Sequence, residues 1–390
     1  MNPRASTPGL PARQGDAPST APTVAPAVRA APRNPGAGLL AMGRRLAEFE
    51  LTRVVGQGGF GVVYEAWDPM LERVVAIKEY LPTTLAARRA DGSVVPLSER
   101  HRETFELGMR GFIKEARLLA QFSHPSLLKV YRFWKEHGTA YMVMPFYRGD
   151  TLKQALAAAP GGVDEGWLLR LMDSVTQALA VMHAAHCYHR DIAPDNIILL
   201  EGTGRPVVLD FGAARRVIGD RTQTLTVILK PGYAPVEQYA GMPDMAQGAW
   251  TDVYALAAVM HVAVCGRAPP PSVGRILADG YAPLAQNEAL RHRYSLRLLS
   301  AIDAGLGVRP ASRPQSMAAL REALGLPPVA APKRALAGRR GGNAGPEPAP
   351  PPPPKPEDAA EARRRRFVLA ALAVLVVLMS VAIVAAWWGR

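Results

Sequence analysis

The order of apolar patterns along the chain predicts an α+β fold with two lobes, a small β-rich lobe followed by a larger helical lobe. Residues 49–55, 62–66 and 73–79 show the apolar alternation that is typical of strands. Further along, residues 166–185 and 252–265 carry apolar side chains at the spacing of long helices. Two unlike lobes leave a cleft between them, and clefts are where small ligands bind.

The intervening elements complete this arrangement. Apolar side chains on one face predict a helix over residues 112–121, and a continuous apolar run predicts a strand over residues 141–146. Residues 152–158 again have the helical period, and residues 207–209 are strand-like. Apolar residues make up 48% of the chain, which is enough for a sizeable core.

Composition divides the chain into four parts. Residues 1–43 are rich in Pro, Ala and Arg and almost without large apolar side chains, which predicts a disordered tail. Residues 44–327 form the globular part, and residues 328–366 return to proline and charge, which predicts an extended linker. Residues 367–388 hold no charge, and as a helix they would cover about 33 Å, enough for a hydrocarbon core of roughly 30 Å. This last part predicts a transmembrane helix in a lipid bilayer.

The positive charge lies mainly in the tails. Of the formal net charge of +13, residues 1–48 carry +4 and residues 329–390 carry +6, which leaves +3 for the rest. A nucleic-acid partner is therefore not predicted. Four arginines at 363–366 precede the apolar span, so its N-terminal side is expected in the cytoplasm, giving a single-pass protein of the inner membrane. Ala382 and Ala386 have the small-residue spacing that would let two span helices pair as a homodimer.

A glycine-rich stretch joins the first two predicted strands and reads Gly56-Gln57-Gly58-Gly59-Phe60-Gly61. Glycines let backbone N–H groups approach phosphates closely. The alternative of a dinucleotide fingerprint requires a helix to begin at the third glycine, whereas Val62 and Val63 continue as a strand. The next strand carries Lys78, where a lysine can reach the same phosphates.

Two further motifs follow in the second half. The first reads His189-Arg190-Asp191-Ile192-Ala193-Pro194-Asp195-Asn196, and fourteen residues later comes Asp210-Phe211-Gly212. In this order and near these spacings, the glycine-rich loop, the strand lysine and the two motifs resemble the protein kinase superfamily over roughly residues 49–326. Residues 78–82 resemble a bacterial serine/threonine subgroup of that family.

The resemblance implies a role for each motif residue. Asp191 would accept the proton of the attacking hydroxyl, and Lys78 would grip the α- and β-phosphates of ATP, held by Glu115. Asn196 and Asp210 would bind Mg²⁺ (or Mn²⁺). The structural residues implied are His189, Arg190 and Asp252 around the catalytic loop, with Glu237 and Arg313 as a buried ion pair. The nucleotide contacts implied are Val55, Gly56, Gln57, Gly58, Gly59, Phe60, Gly61, Val63, Ala76, Lys78, Met144, Pro145, Tyr147 and Ile198.

The chain departs from the family pattern in three places. Pro145 is unusual in the hinge, but the family uses only the carbonyl oxygen there, and proline lacks only the N–H. The gap between Lys78 and Glu115 is long, which predicts an inserted surface loop over residues 85–110. Ala193 stands where serine/threonine kinases have a lysine near the γ-phosphate, and Lys230 is predicted to supply that catalytic charge from the opposite wall.

The function implied is an ATP-dependent protein kinase that phosphorylates Ser or Thr hydroxyls of proteins in membrane-associated signalling. Thr222, Thr224 and Thr226 lie in the predicted activation segment, where autophosphorylation could order the chain, although a solvated threonine-rich loop explains them equally well. The alternative function is an ATP-binding pseudokinase scaffold at the membrane. Ala193 favours that alternative, whereas the intact set of charged catalytic residues disfavours it.

Overall fold

The computed structural model describes residues 38–210, 229–239 and 245–329. Its first lobe is built on a six-stranded antiparallel sheet of order β1-β2-β3-β4-β8-β7, with a separate hairpin of β5 and β6. The strands are β1 (Arg45–Leu46), β2 (Phe49–Gly58), β3 (Gly61–Asp68), β4 (Arg73–Tyr80), β5 (Ala86–Arg88), β6 (Val94–Pro96), β7 (Arg132–Glu136) and β8 (Thr139–Pro145).

Alternation of side chains explains why these segments form a sheet with one buried face. On β3, Val62, Tyr64 and Ala66 are all fully buried, while the residues between them are more exposed. Helix α1 (Glu99–Leu119) packs on this lobe with Phe112 and Leu119 among its buried residues. The predicted strands therefore occur, each close to its predicted bounds.

The prediction of a surface loop over residues 85–110 is wrong. The segment begins with the β5–β6 hairpin and continues into α1, which starts at Glu99 rather than near residue 112. Tyr80 donates a hydrogen bond to the carbonyl of Phe105, and Arg88 forms an ion pair with buried Glu79, with 2.5 Å between Nη2 and Oε2. The many charges of this segment face solvent on one side of a helix, and they obscured the apolar stripe on its other side.

The packed part of the chain also begins before the predicted boundary at residue 44. Leu40 is buried, and its backbone N–H donates to the phenol oxygen of Tyr64. The carbonyl of Gly38 accepts a hydrogen bond from Nε of Arg88 at 2.7 Å. Residues 38–43 therefore pack against the first lobe.

The second lobe is helical, with a three-stranded sheet of order β11-β10-β9 at its edge. These strands are β9 (Gly149–Thr151), β10 (Ile197–Leu200) and β11 (Pro206–Val208). The helices are α2 (Leu152–Ala157), α3 (Glu165–His183), α4 (Ala249–Cys265), α5 (Gly274–Leu277), α6 (Glu288–Arg291), α7 (Leu296–Gly305) and α8 (Met317–Leu324). Helix α4 is buried along almost its whole length and forms the centre of this lobe. It ends at Gly266, whose left-handed backbone (φ 71°) suits a glycine cap.

Within the described ranges, no helix is both long and apolar enough to cross a membrane. The predicted span at 367–388 and the predicted linker before it lie outside those ranges.

Candidate functional site

The glycine-rich turn between β2 and β3 lies directly against β4. Strands β2 and β3 pair up to Gly58 and Gly61, and the carbonyl of Phe60 accepts a hydrogen bond from the N–H of Leu81, which follows β4. A Cβ atom at Gly61 would lie 2.2 Å from the carbonyl oxygen of Glu79, so only glycine permits this approach. A Cβ at Gly59 would meet nothing within 4 Å. Gly61 therefore fixes the turn to the sheet, while Gly59 leaves its tip open.

The residues expected around adenine meet where the two lobes join. Ala76 on β4 is paired with Met144 on β8, and both are buried. Strand β8 ends at Pro145 in the first sheet, and β9 begins at Gly149 in the second, so residues 146–148 form the connection between the lobes. Ile198 on β10 is buried on the other side of that connection. The apolar residues expected around adenine therefore lie on the strands that lead into and follow this short connection.

Tyr147 in this connection is held by its side chain. Its phenol oxygen accepts a hydrogen bond from the backbone N–H of Lys129 at 3.3 Å. Burial raises the pKa of Tyr147 above the ordinary value, so the phenol stays neutral. Val63, on the strand above the slot, is half-buried, and Val55 is exposed on β2.

Lys78 projects from β4 towards both α1 and the second motif. Its Nζ lies 2.7 Å from Oδ1 of Asp210 and 5.9 Å from the ring centroid of Phe112. Phe112 and Glu115 are three residues apart on α1 and share a helix face, and Glu115 is buried. The structure therefore brings Lys78 to Asp210 and to the helix face that carries Glu115.

The loop around Asp191 is held from below by Asp252 in the first turn of α4. The carboxylate of Asp252 is fully buried and accepts hydrogen bonds from the N–H groups of His189 (2.8 Å) and Arg190 (2.7 Å). Burial alone would raise the pKa of Asp252, but the bond with His183 and these neighbours outweigh it and hold the pKa below 3.8. These bonds also offset the left-handed backbone of Arg190 (φ 65°), which is strained for a residue with a side chain.

Asp191 itself is oriented by Asn196. The amide nitrogen of Asn196 donates to the carbonyl of Asp191 at 2.6 Å and to its Oδ2 at 2.9 Å. The N–H of Leu209 donates to the carbonyl of Asn196, and Nε2 of His189 lies 2.7 Å from the carbonyl of Leu209. The two motifs, which flank the hairpin of β10 and β11, are thereby tied together.

The donor set at this point suits magnesium. Asn196 and Asp210 offer amide and carboxylate oxygens, and hard oxygen donors are what Mg²⁺ prefers. Magnesium generally takes only one or two protein carboxylates and completes its shell with water and phosphate oxygens. No group of three or more His, Cys, Asp or Glu residues suited to a metal occurs in the part of the chain that the structure describes. A site shared with substrate phosphates fits these residues better than an all-protein cage.

The segment of residues 229–239 is fixed to the second lobe by the predicted ion pair of Glu237 and Arg313. Their atoms lie 2.7 and 3.1 Å apart, and both side chains are fully buried. Thr251 donates a further hydrogen bond to Oε1 of Glu237. Next to this pair, Nε2 of Gln238 donates to the carbonyl of Arg190 at 2.7 Å. The segment is therefore locked beside the loop that carries Asp191.

Lys230, at the start of this segment, reaches the site. Its Nζ lies 2.7 Å from Oδ1 of Asp195 and 3.7 Å from Oδ1 of Asp191. Ala193 between these two carboxylates is fully buried. An open cavity of about 890 Å³ is lined by Gly59 and Phe60 from the glycine-rich turn, by Asp195 and Lys230, and by apolar residues of α2 and α4. A chain segment and a phosphate group both fit into this space.

Comparison with known proteins agrees with this geometry, because a family description for the protein kinase domain matches residues 49–322. This chain belongs to the protein kinase family. It is similar to the serine/threonine-protein kinase PrkC of Bacillus subtilis, 30% identical over 230 residues, which cover 58% of this chain and 32% of PrkC. It is also similar to the serine/threonine-protein kinase PknA of Nostoc sp., 26% identical over 298 residues, which cover 73% of this chain and 48% of PknA. The predicted serine/threonine type of this kinase domain is confirmed.

Solved structures show the same kinase fold. PpkA-294 in its apo form has a TM-score of 0.68 and 47% identity, and the match covers 74% of this chain and 99% of that chain. The kinase domain of PknI from Mycobacterium tuberculosis has a TM-score of 0.54 at 24% identity, which supports the fold alone. The prediction of a bilobal kinase fold is thus confirmed. The chain spans from 23% to 49% of the length of the curated relatives it matches.

Sequence analysis missed two residues of this kinase site. Asp195 lies within its motif, but the sequence gives it no role, because its ion pair with Lys230 joins residues 35 positions apart. His183, whose Nε2 lies 2.8 Å from Oδ2 of Asp252, ends a helix and carried no motif signal. The expected phosphorylation sites at Thr222, Thr224 and Thr226 lie outside the described residues.

Proposed function

We propose that this chain is an active kinase that transfers the γ-phosphoryl group of ATP to Ser or Thr hydroxyls of proteins. The observation that carries the proposal is the arrangement around Asp191. Its carboxylate is held by Asn196 and lies 3.7 Å from Nζ of Lys230, and Lys230 lines the open cavity together with the turn that would cover phosphates. A fixed carboxylate beside a phosphate site is what orientation of an attacking hydroxyl requires.

Each charged residue would contribute one physical task. Asp191 orients the substrate hydroxyl and takes its proton as the oxygen attacks phosphorus. Lys78 counters negative charge on the phosphates, and its contact with Asp210 keeps it at the cleft. Asn196 and Asp210 would hold magnesium, which when bound adds positive charge to the phosphate oxygens. The apolar slot at Ala76, Met144 and Ile198 excludes water from the adenine, and the carbonyl of Pro145 and the N–H of Tyr147 would meet its edge.

Substitution of two acidic residues tests the proposal and separates it from a pseudokinase. Asp191→Asn should abolish transfer of labelled phosphate from ATP to casein while leaving ATP affinity nearly unchanged, because Asp191 acts on the acceptor. Asp210→Asn should also weaken magnesium-dependent ATP binding. Equal transfer by the parent and Asp191→Asn would contradict the proposal, and ATP binding without any transfer would point to the pseudokinase scaffold.

Autophosphorylation is part of the proposal. The side-chain Nε of Arg190 is buried and makes no hydrogen bond within the described residues, so a phosphate group from the neighbouring segment would complete its surroundings. Replacement of Thr222, Thr224 and Thr226 with Ala, followed by mass spectrometry and activity measurement, tests this step. Unchanged activity in the triple variant would rule out regulation through these threonines.

We further propose that residues 367–388 anchor the protein in the inner membrane, with the kinase domain in the cytoplasm. The support is the uncharged length of the segment and the four arginines before it. The full chain should sediment with membranes, whereas a chain ending at Pro328 should not, and it should keep its transfer activity. Membrane association of the shortened chain would contradict the anchor. Crosslinking of the full chain with and without Ala382→Leu tests pairing of two copies.

A further inference from the structure

A lysine ammonium lies close to two carboxylates of the catalytic loop, Asp191 and Asp195. Nζ of Lys230 is 2.7 Å from Asp195 and 3.7 Å from Asp191, and 23% of the lysine side chain is exposed. Lys230 lines the large cavity together with Gly59 and Phe60, and it lines a second, small cavity together with Asp191. The ammonium therefore stands between the predicted acceptor-orienting carboxylate and the turn that would cover phosphates.

The backbone of Lys230 is fixed by its neighbours. A residue before proline is restricted to extended conformations, and Pro231 follows directly. The carbonyl of Lys230 accepts hydrogen bonds from the N–H groups of Tyr233 and Ala234 at 3.1 and 3.0 Å. Gly232 closes this turn with φ of 84°, where a Cβ would lie 2.9 Å from the carbonyl oxygen of Pro269. The lysine thus starts from a rigid turn, and only its side chain must be positioned.

Asp195 positions the side chain of Lys230, and its own backbone lies in a rigid turn. It is the middle residue of a single 3-10 turn, Pro194–Asn196, and the N–H of Asn196 donates to the carbonyl of Ala193 at 2.9 Å. The carboxylate of Asp195 is 48% exposed, so its ion pair with Lys230 adds little to stability. What the pair does instead is to hold a flexible ammonium within reach of Asp191.

The negative charge of a transferred phosphoryl group gives the position of the Lys230 ammonium a chemical role. Phosphoryl transfer depends on cations placed at the oxygens of the transferred group. Between Asp191 and Asp195 the catalytic loop carries Ile192, Ala193 and Pro194, and none of these side chains is charged. Lys230 enters from the opposite wall, and its ammonium lies 3.7 Å from the carboxylate of Asp191.

We propose that Lys230 is a catalytic residue whose ammonium meets the transferred phosphoryl group, and that Asp195 is its positioning residue. This inference rests on the proposed kinase function. The bond from phosphorus to the oxygen that bridges it to the β-phosphate breaks, a bond to the substrate hydroxyl oxygen forms, and the hydroxyl proton passes to Asp191. Lys230 remains an ammonium throughout and exchanges no proton.

Steady-state kinetics of the full chain with ATP and casein test the inference. Lys230→Met removes the charge at similar length, and kcat should fall by about 10²–10³-fold, while KM for ATP changes little. Lys230→Arg restores a cation and should exceed Lys230→Met by about tenfold or more. Asp195→Asn loses only the tether, and kcat should fall about two- to fivefold. In the variant with both Lys230→Met and Asp195→Asn, the second change should add no further loss, because there is no longer an ammonium to position.

The control is Lys135→Ala, which removes an exposed lysine on the edge strand β7 and should leave kcat unchanged. Thermal unfolding of every variant separates catalysis from folding, because a purely structural ion pair would lower the melting temperature equally in Lys230→Met and Asp195→Asn. Three outcomes would overturn the inference. They are an equal fall in melting temperature for Lys230→Met and Asp195→Asn, turnover of Lys230→Met near the parent rate, and turnover of Lys230→Arg no higher than that of Lys230→Met. A parent chain with no more transfer than Asp191→Asn would overturn the proposed function as well, and with it this inference.

Discussion

The buried ion pair between Glu237 and Arg313 offers the sharpest test of how the segment bearing Lys230 is held. Both side chains are fully buried, and Arg313 also donates to the carbonyls of Gly307 (2.6 Å) and Val308 (2.7 Å). We expect Arg313→Met to leave the carboxylate of Glu237 in the interior with Thr251 as its remaining side-chain donor. The whole segment would then lose its main attachment to the second lobe.

The size of the effect follows from these contacts. Removal of one partner from a buried ion pair costs about 3–5 kcal/mol, because the other charge stays buried without compensation. Gly307 and Val308 are only half-buried, so we expect loss of the hydrogen bonds to their carbonyls to add little. At about 2–4 °C per kcal/mol for a domain of this size, the melting temperature should fall by roughly 6–20 °C. Glu237→Leu combined with Arg313→Met removes both charges and should cost less than Arg313→Met alone.

Urea unfolding monitored by circular dichroism would measure the free energy of unfolding for each variant. Arg309→Met is the matched control, since Arg309 is exposed in the same loop and its loss should change the free energy by less than about 0.5 kcal/mol. A loss below about 1 kcal/mol in Arg313→Met would refute the reasoning, since it would mean that the buried carboxylate finds another partner.

Two further predictions follow from single contacts. Gly61→Ala should lower the free energy of unfolding by about 1–3 kcal/mol, because its Cβ would lie 2.2 Å from the carbonyl oxygen of Glu79. Gly59→Ala is the control and should leave the free energy of unfolding nearly unchanged. Equal free energies of unfolding for the two variants would contradict this prediction. His261 is buried, which lowers its pKa below 6.5, and its Nδ1 lies 2.9 Å from the carbonyl of Arg267. As the pH falls below 6.5, His261 is protonated more readily in the unfolded chain than in the folded chain. The free energy of unfolding present above pH 6.5 is therefore lost as the pH falls through 6.5 towards the folded pKa. In His261→Gln the difference in unfolding free energy between about pH 7.5 and 5.5 should shrink, and an unchanged difference would contradict the assignment.

Short-range patterns account for the features that could be predicted. The glycines predicted a turn between two strands, because glycine permits close backbone approach. The structure adds that Gly61 is required by the carbonyl of Glu79 on the neighbouring strand. The alternation of apolar side chains along β3 predicted its buried face, because side chains on a strand alternate with a period of two. The Asp191 motif and Asp210 lie at the two ends of one hairpin of β10 and β11, and this pairing brings them together.

The helix α1 shows where local reading fails. Glu99 and Arg102 form an exposed pair in its first turns, and such charges are also what a surface loop contains. The apolar stripe that includes Phe105 and Phe112 becomes meaningful only when Tyr80 on β4 packs against both rings, at 5.3 and 5.9 Å. The charges of such a segment therefore predict a surface loop, and only the strand that packs against it shows that it is a helix.

The sequence by itself determined the kinase family and the two-lobed fold, because each depends on residues close together in the chain or on a repeating period. The residues that would carry phosphoryl transfer stay a prediction from the same motifs. Only the tertiary structure decided that Arg88 pairs with Glu79, that His183 meets Asp252 and that Asp195 holds Lys230. A periodic pattern states which face of an element is apolar, but it does not state which side chain from another element will lie opposite. Those pairings depend on where distant parts of the chain cross, and so do the charges that surround Asp191.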